Sequence, residues 1–508
     1  MKKLIPLAFS MAICCAAGKA TAQRMLGMPD SAEMRKEWLK TIERTTQDMA
    51  ISYNHKSMAA ILVDRADAEA HLKRYSKAID DYNKAIFFDP ALRLVYDRRA
   101  RVYEVMGNYR AAIGDREKAL AELKGDKLNA AIAWNYIAGD EFAAGNYSKA
   151  VKADSTAIML WPQFAMAYAN KGLANLQLGK FQQAVDDFTE SMKGFQGSIL
   201  ELAAIYKNRA DAYRNLGKYT EAISDYNSTL QYAPDVKICY WGLAVCYGFT
   251  NQHLLAENNF AKSAALYKGD NQDLSKIYVE WAALEDIRHD YAKEIADDSL
   301  AVAYDNKNAD AYNARAHAYA LNGQMQKSID SFSELTKFYQ ADKAAMVELY
   351  GAIAEQEYFL GQYDKAIETS NAAITLDPHA LLFYLVKGRA YLKKASNDMA
   401  ATSFNQILAA DTSKHTSAYA FALFFTGKQD QALGILKAGI EQSPNDVASA
   451  YHYYYLARMC ALMNKPDDAN AWLRKSFDSG YSRKYALCDP DFDNLHSTQG
   501  FKDMIAEK

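Results

Sequence analysis

The sequence predicts an all-α protein, a solenoid of about twelve stacked helix pairs. Nine prolines and 24 glycines in 508 residues are too few for a protein of many strands and tight turns. Aromatic, proline and alanine residues recur at intervals of 72, and every 72-residue unit contains one short motif twice. A fixed repeat of this length is typical of helix pairs that bury their apolar faces only by stacking on their neighbours.

Residues 1–22 are predicted to be a secretory signal peptide. A basic start at residues 1–3 precedes an apolar run at residues 4–17, and the small residues at 20–22 offer a cleavage point. A buried helix is a weaker interpretation because Pro6 interrupts the run. A lipid anchor on a cysteine of the run is also weaker, because the preceding residues do not match a lipid-attachment motif. The mature chain is therefore expected in the periplasm, or secreted or held at the surface of a bacterial cell.

Charge and hydropathy exclude two classes of protein. The 59 basic residues are matched by 62 acidic ones, which argues against a nucleic-acid partner. No stretch after the signal reaches roughly 20 apolar residues, so no integral membrane segment is expected after cleavage. Cys239 and Cys246 lie too far apart along one predicted helix to form a disulfide, whereas Cys460 and Cys488 are free to pair.

Residues 23–58 are predicted to form an N-terminal helical cap. Met34, Trp38, Ile42 and Met49 recur there at helical spacing, just before the first copy of the repeat. Such a helix would cover the apolar face of the first helix pair.

Tyrosines mark the 72-residue period in two registers. They are Tyr75, Tyr147, Tyr219, Tyr291 and Tyr363, and Tyr96, Tyr168, Tyr240, Tyr312 and Tyr384. Inside each unit the motif begins at alternating steps of 34 and 38 residues. Four extra residues correspond to about one helical turn, so one helix of every second pair is expected to be a turn longer.

One copy of the motif resembles the tetratricopeptide repeat. Its marker residues are Tyr206, Arg209, Ala210, Tyr213, Gly217, Tyr219, Ala222, Tyr226 and Pro234. They follow the family's order of an aromatic block with Gly and Tyr, an Ala-x3-aromatic pair and a closing proline. The resemblance implies a right-handed superhelical solenoid of about twelve helix-turn-helix units.

Twelve copies cover residues 59–483, and residues 484–508 are expected to form a C-terminal capping segment. The copies begin near Ala59, Arg93, Ala131, Ala165, Ala203, Lys237, Ser275, Ala309, Val347, Leu381, Ser413 and Ala450. The copy from Ser275 departs from the family because Glu294 stands where alanine is usual.

The turn inside each pair carries helix stop and start signals. Glycines at the turn are predicted to end the first helix, namely Gly145, Gly217 and Gly361. Short polar residues after them are predicted to be N-caps of the second helix, namely Ser76, Ser148, Thr220 and Asp364.

Residue patterns for catalysis are absent from the sequence. It contains no H-E-x-x-H, no G-x-S-x-G and no phosphate-binding loop, and its nine histidines never form an i, i+4 pair. Paired aspartates at 80–81, 186–187 and 297–298 are interpreted as solvated faces. We therefore expect no enzyme, no cofactor and no metal site.

The resemblance places partner contacts on the first helix of each pair, at positions 2, 5, 6, 9, 12 and 13 of a copy. Carried over to this sequence, these positions include Asn170, Lys207, Asn208, Asp211, Arg214, Trp241, Val245, Phe249, Asn313 and His317. Amide and charged groups can hold a peptide backbone or carboxylate, and aromatic rings can bury apolar side chains. The implied protein is a non-catalytic scaffold that binds a protein or peptide along its concave face.

Two alternatives stay open. Trp241 and Phe249 either face the groove or pack between adjacent helices. Tyr454 and Tyr455 lie outside the repeat register, and such aromatics can contact a protein or stack on a sugar. A glycan is therefore a second class of partner, and a cell-wall or glycan-handling accessory protein is the alternative function.

Overall fold

The computed structural model describes residues 32–51, 54–123, 125–442 and 447–506. These residues form 27 α-helices and one short 3-10 helix, without any strand, which confirms the all-α prediction. The predicted signal peptide lies outside the described residues. Within them, no helix combines the length and the apolar character that crossing a membrane requires.

A leading helix, α1 (Ala32–Ile51), precedes twelve helix pairs, which confirms the predicted number of repeats. The pairs of the first half are α2 (His55–His71) with α3 (Tyr75–Phe88), α4 (Arg93–Val105) with α5 (Tyr109–Ala121), α6 (Lys127–Ala143) with α7 (Tyr147–Leu160), α8 (Ala165–Gln177) with α9 (Phe181–Lys193), α10 (Ile199–Asn215) with α11 (Tyr219–Tyr232), and α12 (Lys237–Phe249) with α13 (His253–Leu266).

The remaining pairs are α14 (Asn271–Ile287) with α15 (Tyr291–Tyr304), α16 (Ala309–Leu321) with α17 (Met325–Thr336), α18 (Lys343–Phe359) with α19 (Tyr363–Leu376), α20 (Leu381–Lys393) with α21 (Asn397–Ala410), α22 (Ser417–Phe425) with α23 (Gln429–Gln442), and α24 (Val447–Leu462) with α25 (Pro466–Asp478). The chain then forms α26 (Arg483–Leu487), a 3-10 turn (Pro490–Phe492) and α27 (Gln499–Ala506).

The alternating steps of 34 and 38 residues arise in the first helices. Through the tenth pair, these helices have 17 residues in odd pairs and 13 residues in even pairs. The difference is one helical turn, as the spacing predicts.

A residue with left-handed backbone conformation follows each of these first helices. Gly145, Gly217 and Gly361 have φ of 80°, 72° and 70°, which confirms that they end the first helix. Lys73 and Ala395 adopt the same conformation at φ of 60° and 56° without being glycine.

The predicted N-caps are wrong. Ser76, Ser148, Thr220 and Asp364 each lie inside the second helix, which begins one residue earlier at a tyrosine. The residue before that tyrosine makes no side-chain capping hydrogen bond. Its backbone N–H is used instead to close the first helix, as in the 2.9 Å bond from Lys218 N to Tyr213 O. In other pairs the residue at this place also caps the second helix with its side chain, as Asp290 does by accepting from Lys293 N at 3.2 Å.

Helices meet closely where a small residue faces an aromatic ring, both within a pair and between successive pairs. Within the tenth pair, a Cβ added to Gly388 on the first helix would lie 2.5 Å from the ring of Phe404 on the second. Between the fifth and sixth pairs, Tyr226 is 1% exposed, and a Cβ added to Gly242 would lie 2.4 Å from its ring. Small residues therefore allow the close approach that buries the ring.

The interpretation of the paired aspartates as solvated faces is wrong for the second member of each pair, while Asp80 and Asp186 are exposed. The second member of each pair, at Asp81, Asp187 and Asp298, is at most 5% exposed. Arg65 Nε donates to Asp81 Oδ2 at 2.7 Å, and Lys171 Nζ donates to Asp187 Oδ1 at 2.7 Å. Asp81 and Asp187 lie inward because a cation sixteen residues earlier on the first helix accompanies each of them into the interior, whereas Asp298 is buried without a hydrogen-bond partner.

The chain divides into two compact units, one up to Asn251 and one from Gln252. In each unit the first helices of successive pairs also contact one another, as α10 and α12 do in the first unit and α18 and α20 in the second. The first helices thus form the inner layer of each unit. We call the open side of that layer the first-helix face.

Candidate partner-binding surfaces

The first-helix face of the second unit is covered by the chain itself. The residues after the last helix pair, 483–506, pass over the first helices of four pairs, and we call them the tail segment. Lys484 Nζ donates to Asn322 Oδ1 at 2.7 Å, and Asn494 Nδ2 donates to Ala461 O at 2.7 Å. Tyr485 contacts Phe359 with ring centroids 4.9 Å apart. The segment expected to cap the end of the array therefore lies along its inner layer.

Two aspartates of the tail segment bind two arginines of that face. Arg389 Nη2 donates to Asp491 Oδ2 at 2.6 Å and lies 3.6 Å from Asp489 Oδ1. Arg458 Nε donates to Asp489 Oδ2. All four side chains are at most 4% exposed, so the pairing takes place away from water.

Two tyrosines complete the site. Tyr358 OH donates to Asp491 Oδ1 at 2.9 Å, and Tyr454 OH donates to Asp489 Oδ2 at 2.7 Å. We call Tyr358, Arg389, Tyr454 and Arg458 the arginine cradle. It joins three first helices to one short stretch of the tail segment, Asp489-Pro490-Asp491.

The cradle keeps both its cations and the bound carboxylate charged. Burial alone would raise the pKa of the Asp489 carboxyl, but the guanidinium groups of Arg458 and Arg389 hold it below its usual range. Burial would lower the pKa of Arg389, and the nearby Asp491 carboxylate raises it instead. The site is thus a desolvated recognition site for two carboxylates.

Apolar side chains of the tail segment extend the contact beyond the cradle. Phe492, Leu495, Phe501 and Met504 are at most 1% exposed. The ring of Phe492 meets the ring of Tyr454 edge-on at 5.4 Å. An aromatic residue directly after the second aspartate therefore anchors the segment next to the charged pairs.

In the first unit, the fifth pair brings together four of the sequence-predicted residues. Lys207 Nζ lies 3.0 Å from Asp211 Oδ2 and donates to Asn208 Oδ1 at 3.1 Å. Tyr226 OH donates to Asp211 Oδ1 at 2.5 Å. Burial would raise the pKa of Asp211, but Lys207 and Arg214 hold it below its usual range. We call Lys207, Asn208, Asp211 and Arg214 the fifth-pair cluster.

The predicted aromatic stripe on the sixth first helix is largely buried. Trp241 is 3% exposed and Val245 is 9% exposed, so their side chains offer little surface to a partner. Phe249 is 37% exposed and stacks on Tyr219 with centroids 4.7 Å apart. Of the three residues, Phe249 alone presents a ring to solvent.

The other predicted residues are spread over several pairs. Asn170 is half-buried on α8 in the first unit. Asn313 and His317 are exposed on α16 in the second unit, where the His317 ring meets Phe332 edge-on at 5.1 Å. The structure does not join them into one cluster.

The C-terminal aromatics do not form an open platform. Tyr454 is fully buried and belongs to the arginine cradle, while Tyr455 is half-buried against Phe421 at 5.5 Å. A sugar that stacks on the ring of Tyr454 would first have to displace the tail segment.

The sequence reasoning missed Arg389 and Arg458. Both occupy position 9 of their copies, counted from Leu381 and Ala450, and position 9 is among those the family resemblance assigns to the groove. The same counting would have found them. What it could not show is that Asp489 and Asp491, which follow the last copy, return to them.

Other kinds of site find no support in the described residues. They contain no group of three or more His, Cys, Asp or Glu side chains arranged to hold a metal ion. The four cysteines among these residues, Cys460 and Cys488 included, form no disulfide.

Comparisons with known proteins identify the repeat. Two family models of the tetratricopeptide repeat (TPR) match, one at residues 203–236 and the other at residues 137–193 and 352–415. No curated protein matches the chain.

Several solved structures are similar. The C-terminal part of a TPR repeat-containing protein from Cytophaga hutchinsonii is 20% identical, covers 49% of this chain and 97% of its own, and has a TM-score of 0.40. Pseudomonas aeruginosa pilF is 19% identical over 42% of this chain and 94% of its own, with a TM-score of 0.35. YrrB, described as a TPR protein with an unusual peptide-binding site, is 18% identical over 39% of this chain and 96% of its own, with a TM-score of 0.32.

Proposed function

Since this chain is a tetratricopeptide-repeat protein, we propose that it is a non-catalytic scaffold that binds a protein or peptide partner in the bacterial envelope. The observation that carries the proposal is the tail segment on the first-helix face of the second unit. There, a stretch of polypeptide is held by ion pairs, by tyrosine hydroxyls and by buried aromatic rings. A first-helix face of this protein therefore has the chemistry to bind polypeptide.

In the first unit, the fifth-pair cluster is our candidate for partner contact through its half-buried members Asn208, Asp211 and Arg214. Lys207 is 8% exposed and holds Asp211 in place. Lys207 and Asp211 neutralise each other, so the cluster offers hydrogen-bonding groups without a large net charge. Such a set suits the amide groups of an extended peptide better than a highly charged ligand. Phe249, on the next first helix, adds an exposed ring that an apolar side chain of the same peptide could cover.

Location in the envelope is supported by the first 22 residues. Their basic, apolar and small-residue segments occur in the order that export machinery recognises. The scaffold would then meet its partner in the periplasm or at the outer surface.

Affinity capture from the native envelope tests the proposal. The tagged full chain serves as bait, beside the double variant Lys207→Met with Asp211→Asn, which removes both charges and so leaves neither buried alone. We expect the wild-type chain to enrich a defined protein, and the double variant to capture at least tenfold less of that protein. The matched control is Glu190→Gln with Lys193→Met, which removes an exposed pair from the second helix α9.

The outcomes separate the parts of the proposal. A wild-type chain that enriches no protein over a mock bait contradicts the scaffold. Equal capture by all three chains contradicts the fifth-pair cluster, and a partner found only in the cytoplasm contradicts the location.

A further inference from the structure

We propose that the arginine cradle is a binding site for a partner segment that carries Asp-x-Asp followed by an aromatic residue, and that the tail segment closes this site by occupying it. The inference rests on the proposed scaffold function and names the chemistry of one partner. It concerns the second unit, whereas the fifth-pair cluster belongs to the first.

The occupant defines what the cradle recognises. Asp489 and Asp491 are two residues apart, and Pro490 between them begins the 3-10 turn while Asp489 before it has an extended backbone. Each carboxylate meets one guanidinium and one tyrosine hydroxyl. Lys393 Nζ also donates to Pro490 O at 2.9 Å, so the main chain between the two aspartates is held as well. A segment with a different carboxylate spacing could not satisfy both halves of the cradle.

The cradle keeps donors that the present occupant does not use. Arg389 Nε and Arg458 Nη2 are buried without a hydrogen-bond partner. Glu355 Oε1 lies 3.6 Å from Arg458 Nη2, beyond hydrogen-bond distance. A buried donor without a partner is costly, so a ligand that offers these nitrogens an acceptor would bind more tightly than the tail segment does.

Occupation by the tail segment excludes any other ligand. Its contacts run from Asn322 after α16 to Ala461 on α24, and they include the cradle. Both aspartates and Phe492 are at most 4% exposed. A partner segment can therefore reach the cradle only when the tail segment has left it, which makes the segment an autoinhibitory contact.

The connection to the last repeat permits such a departure. Helix α25 ends at Asp478, and Gly480 follows with φ of 91°, a left-handed conformation that glycine adopts without strain. The segment therefore leaves the array through a short glycine-containing turn.

A peptide with the sequence of residues 485–501, labelled with fluorescein and kept reduced, is the probe. Fluorescence anisotropy measures its affinity for the full wild-type chain and for the full chain with Asp489→Asn and Asp491→Asn. We expect at least tenfold tighter binding to the double variant, because its own segment competes less well. Adding Arg389→Met and Arg458→Met should abolish the gain, and a control peptide with asparagine at both positions should not bind.

Hydrogen exchange of residues 483–506 shows whether the double variant has released the segment. Release without tighter peptide binding overturns the proposal, as does binding that survives loss of both arginines. If the double variant does not fold, the wild-type chain is used with excess peptide. Faster exchange of its own tail segment with the acidic peptide but not the control supports the proposal, and unchanged exchange overturns it.

Either failure is distinct from failure of the scaffold function. A chain that rejects the peptide yet still captures an envelope protein through the fifth-pair cluster retains the scaffold function. The proposal about the cradle would then be wrong by itself.

Discussion

At the residue scale, the turn inside each pair requires one residue with a left-handed backbone conformation, and the conformational free energy of that residue depends on its side chain. Ala395 adopts φ of 56°, where its Cβ is crowded by the backbone. Gly179, at the equivalent place three 72-residue periods earlier, adopts φ of 70°. Left-handed conformation costs an L-residue about 1–2 kcal/mol, and the greater chain entropy of unfolded glycine offsets part of the gain.

We predict that Ala395→Gly raises the free energy of unfolding by about 0.5–1 kcal/mol, and that Gly179→Ala lowers it by a similar amount. No other heavy atom lies within 4 Å of a Cβ added at Gly179, so the second change isolates the backbone effect. Urea unfolding of both variants provides the measurement. A destabilised Ala395→Gly variant would contradict the explanation.

Trp241 gives a second prediction at this scale. Its side chain is 3% exposed, so Trp241→Ala should remove core packing and cost about 3–5 kcal/mol of unfolding free energy. Phe249→Ala, at 37% exposure, should cost clearly less. Chemical unfolding of the two variants measures these losses and tests whether Trp241 belongs to the core. A Trp241→Ala variant of unchanged stability that no longer captures the partner would instead place this side chain in the binding surface.

Asp298 gives a pH-dependent prediction. Both of its carboxyl oxygens are buried without a hydrogen-bond partner, and burial together with the nearby Asp297 raises its pKa to about 8. In the unfolded chain the pKa of an aspartate is about 4, so between about pH 4 and about pH 8 Asp298 is protonated in the folded state and ionised in the unfolded state. Stability therefore falls as the pH rises from about 4 to about 8.

We expect Asp298→Asn to remove this loss, since asparagine stays neutral at the same size. The variant should be more stable than the wild-type chain at pH 8, and the difference should shrink towards pH 4. Thermal unfolding across that range is the test, with the exposed Asp80→Asn as control. A parallel pH dependence of variant and wild type would rule out Asp298 as the source.

At the scale of elements, the tail segment depends on ionised aspartates. Because the folded pKa of Asp489 lies below its ordinary value, its contribution is complete above about pH 4. This stabilising contribution is lost as the pH falls through the lowered pKa that Asp489 has in the folded protein. We predict that residues 483–506 lose hydrogen-exchange protection below about pH 4, after correction for intrinsic rates.

The control for acid release is Asp489→Asn, which cannot titrate at this position. Its tail segment should be less protected at neutral pH and should respond less to acid. Equal acid responses in the variant and the wild-type chain would show that other groups release the segment.

The elements themselves were largely predictable. The steps of 34 and 38 residues gave helix pairs of alternating length because each residue adds a fixed rise to a helix. The predicted N-caps Ser76 and Thr220 were wrong because the second helix already begins at the tyrosine before them, which makes the capping position one residue earlier. The burial of Asp81 and Asp187 was also missed, since it depends on a cation sixteen residues away on the facing helix.

At the scale of the whole molecule, processing of the N-terminus is a prediction from sequence. Removal of residues 1–22 should leave a mature chain that begins at Gln23 and carries no lipid. Intact-mass analysis of the protein recovered from the native envelope measures both properties. A chain that retains residues 1–22, or a lipidated N-terminal cysteine, would contradict the proposed route of export.

The sequence by itself determined that this protein is a series of twelve helix pairs, because the repeat period, the helical spacing of apolar residues and the glycine stops are local properties. It also determined which helix face carries candidate contacts, since position 9 can be counted in every copy. Only the tertiary structure decided that Arg389 and Arg458 face Asp489 and Asp491. Arg389 is 102 residues from Asp491 along the chain, and Arg458 is 31 residues from Asp489. No local rule fixes that meeting, because it depends on the path of a segment outside the repeat and on the summed stacking geometry of several helix pairs.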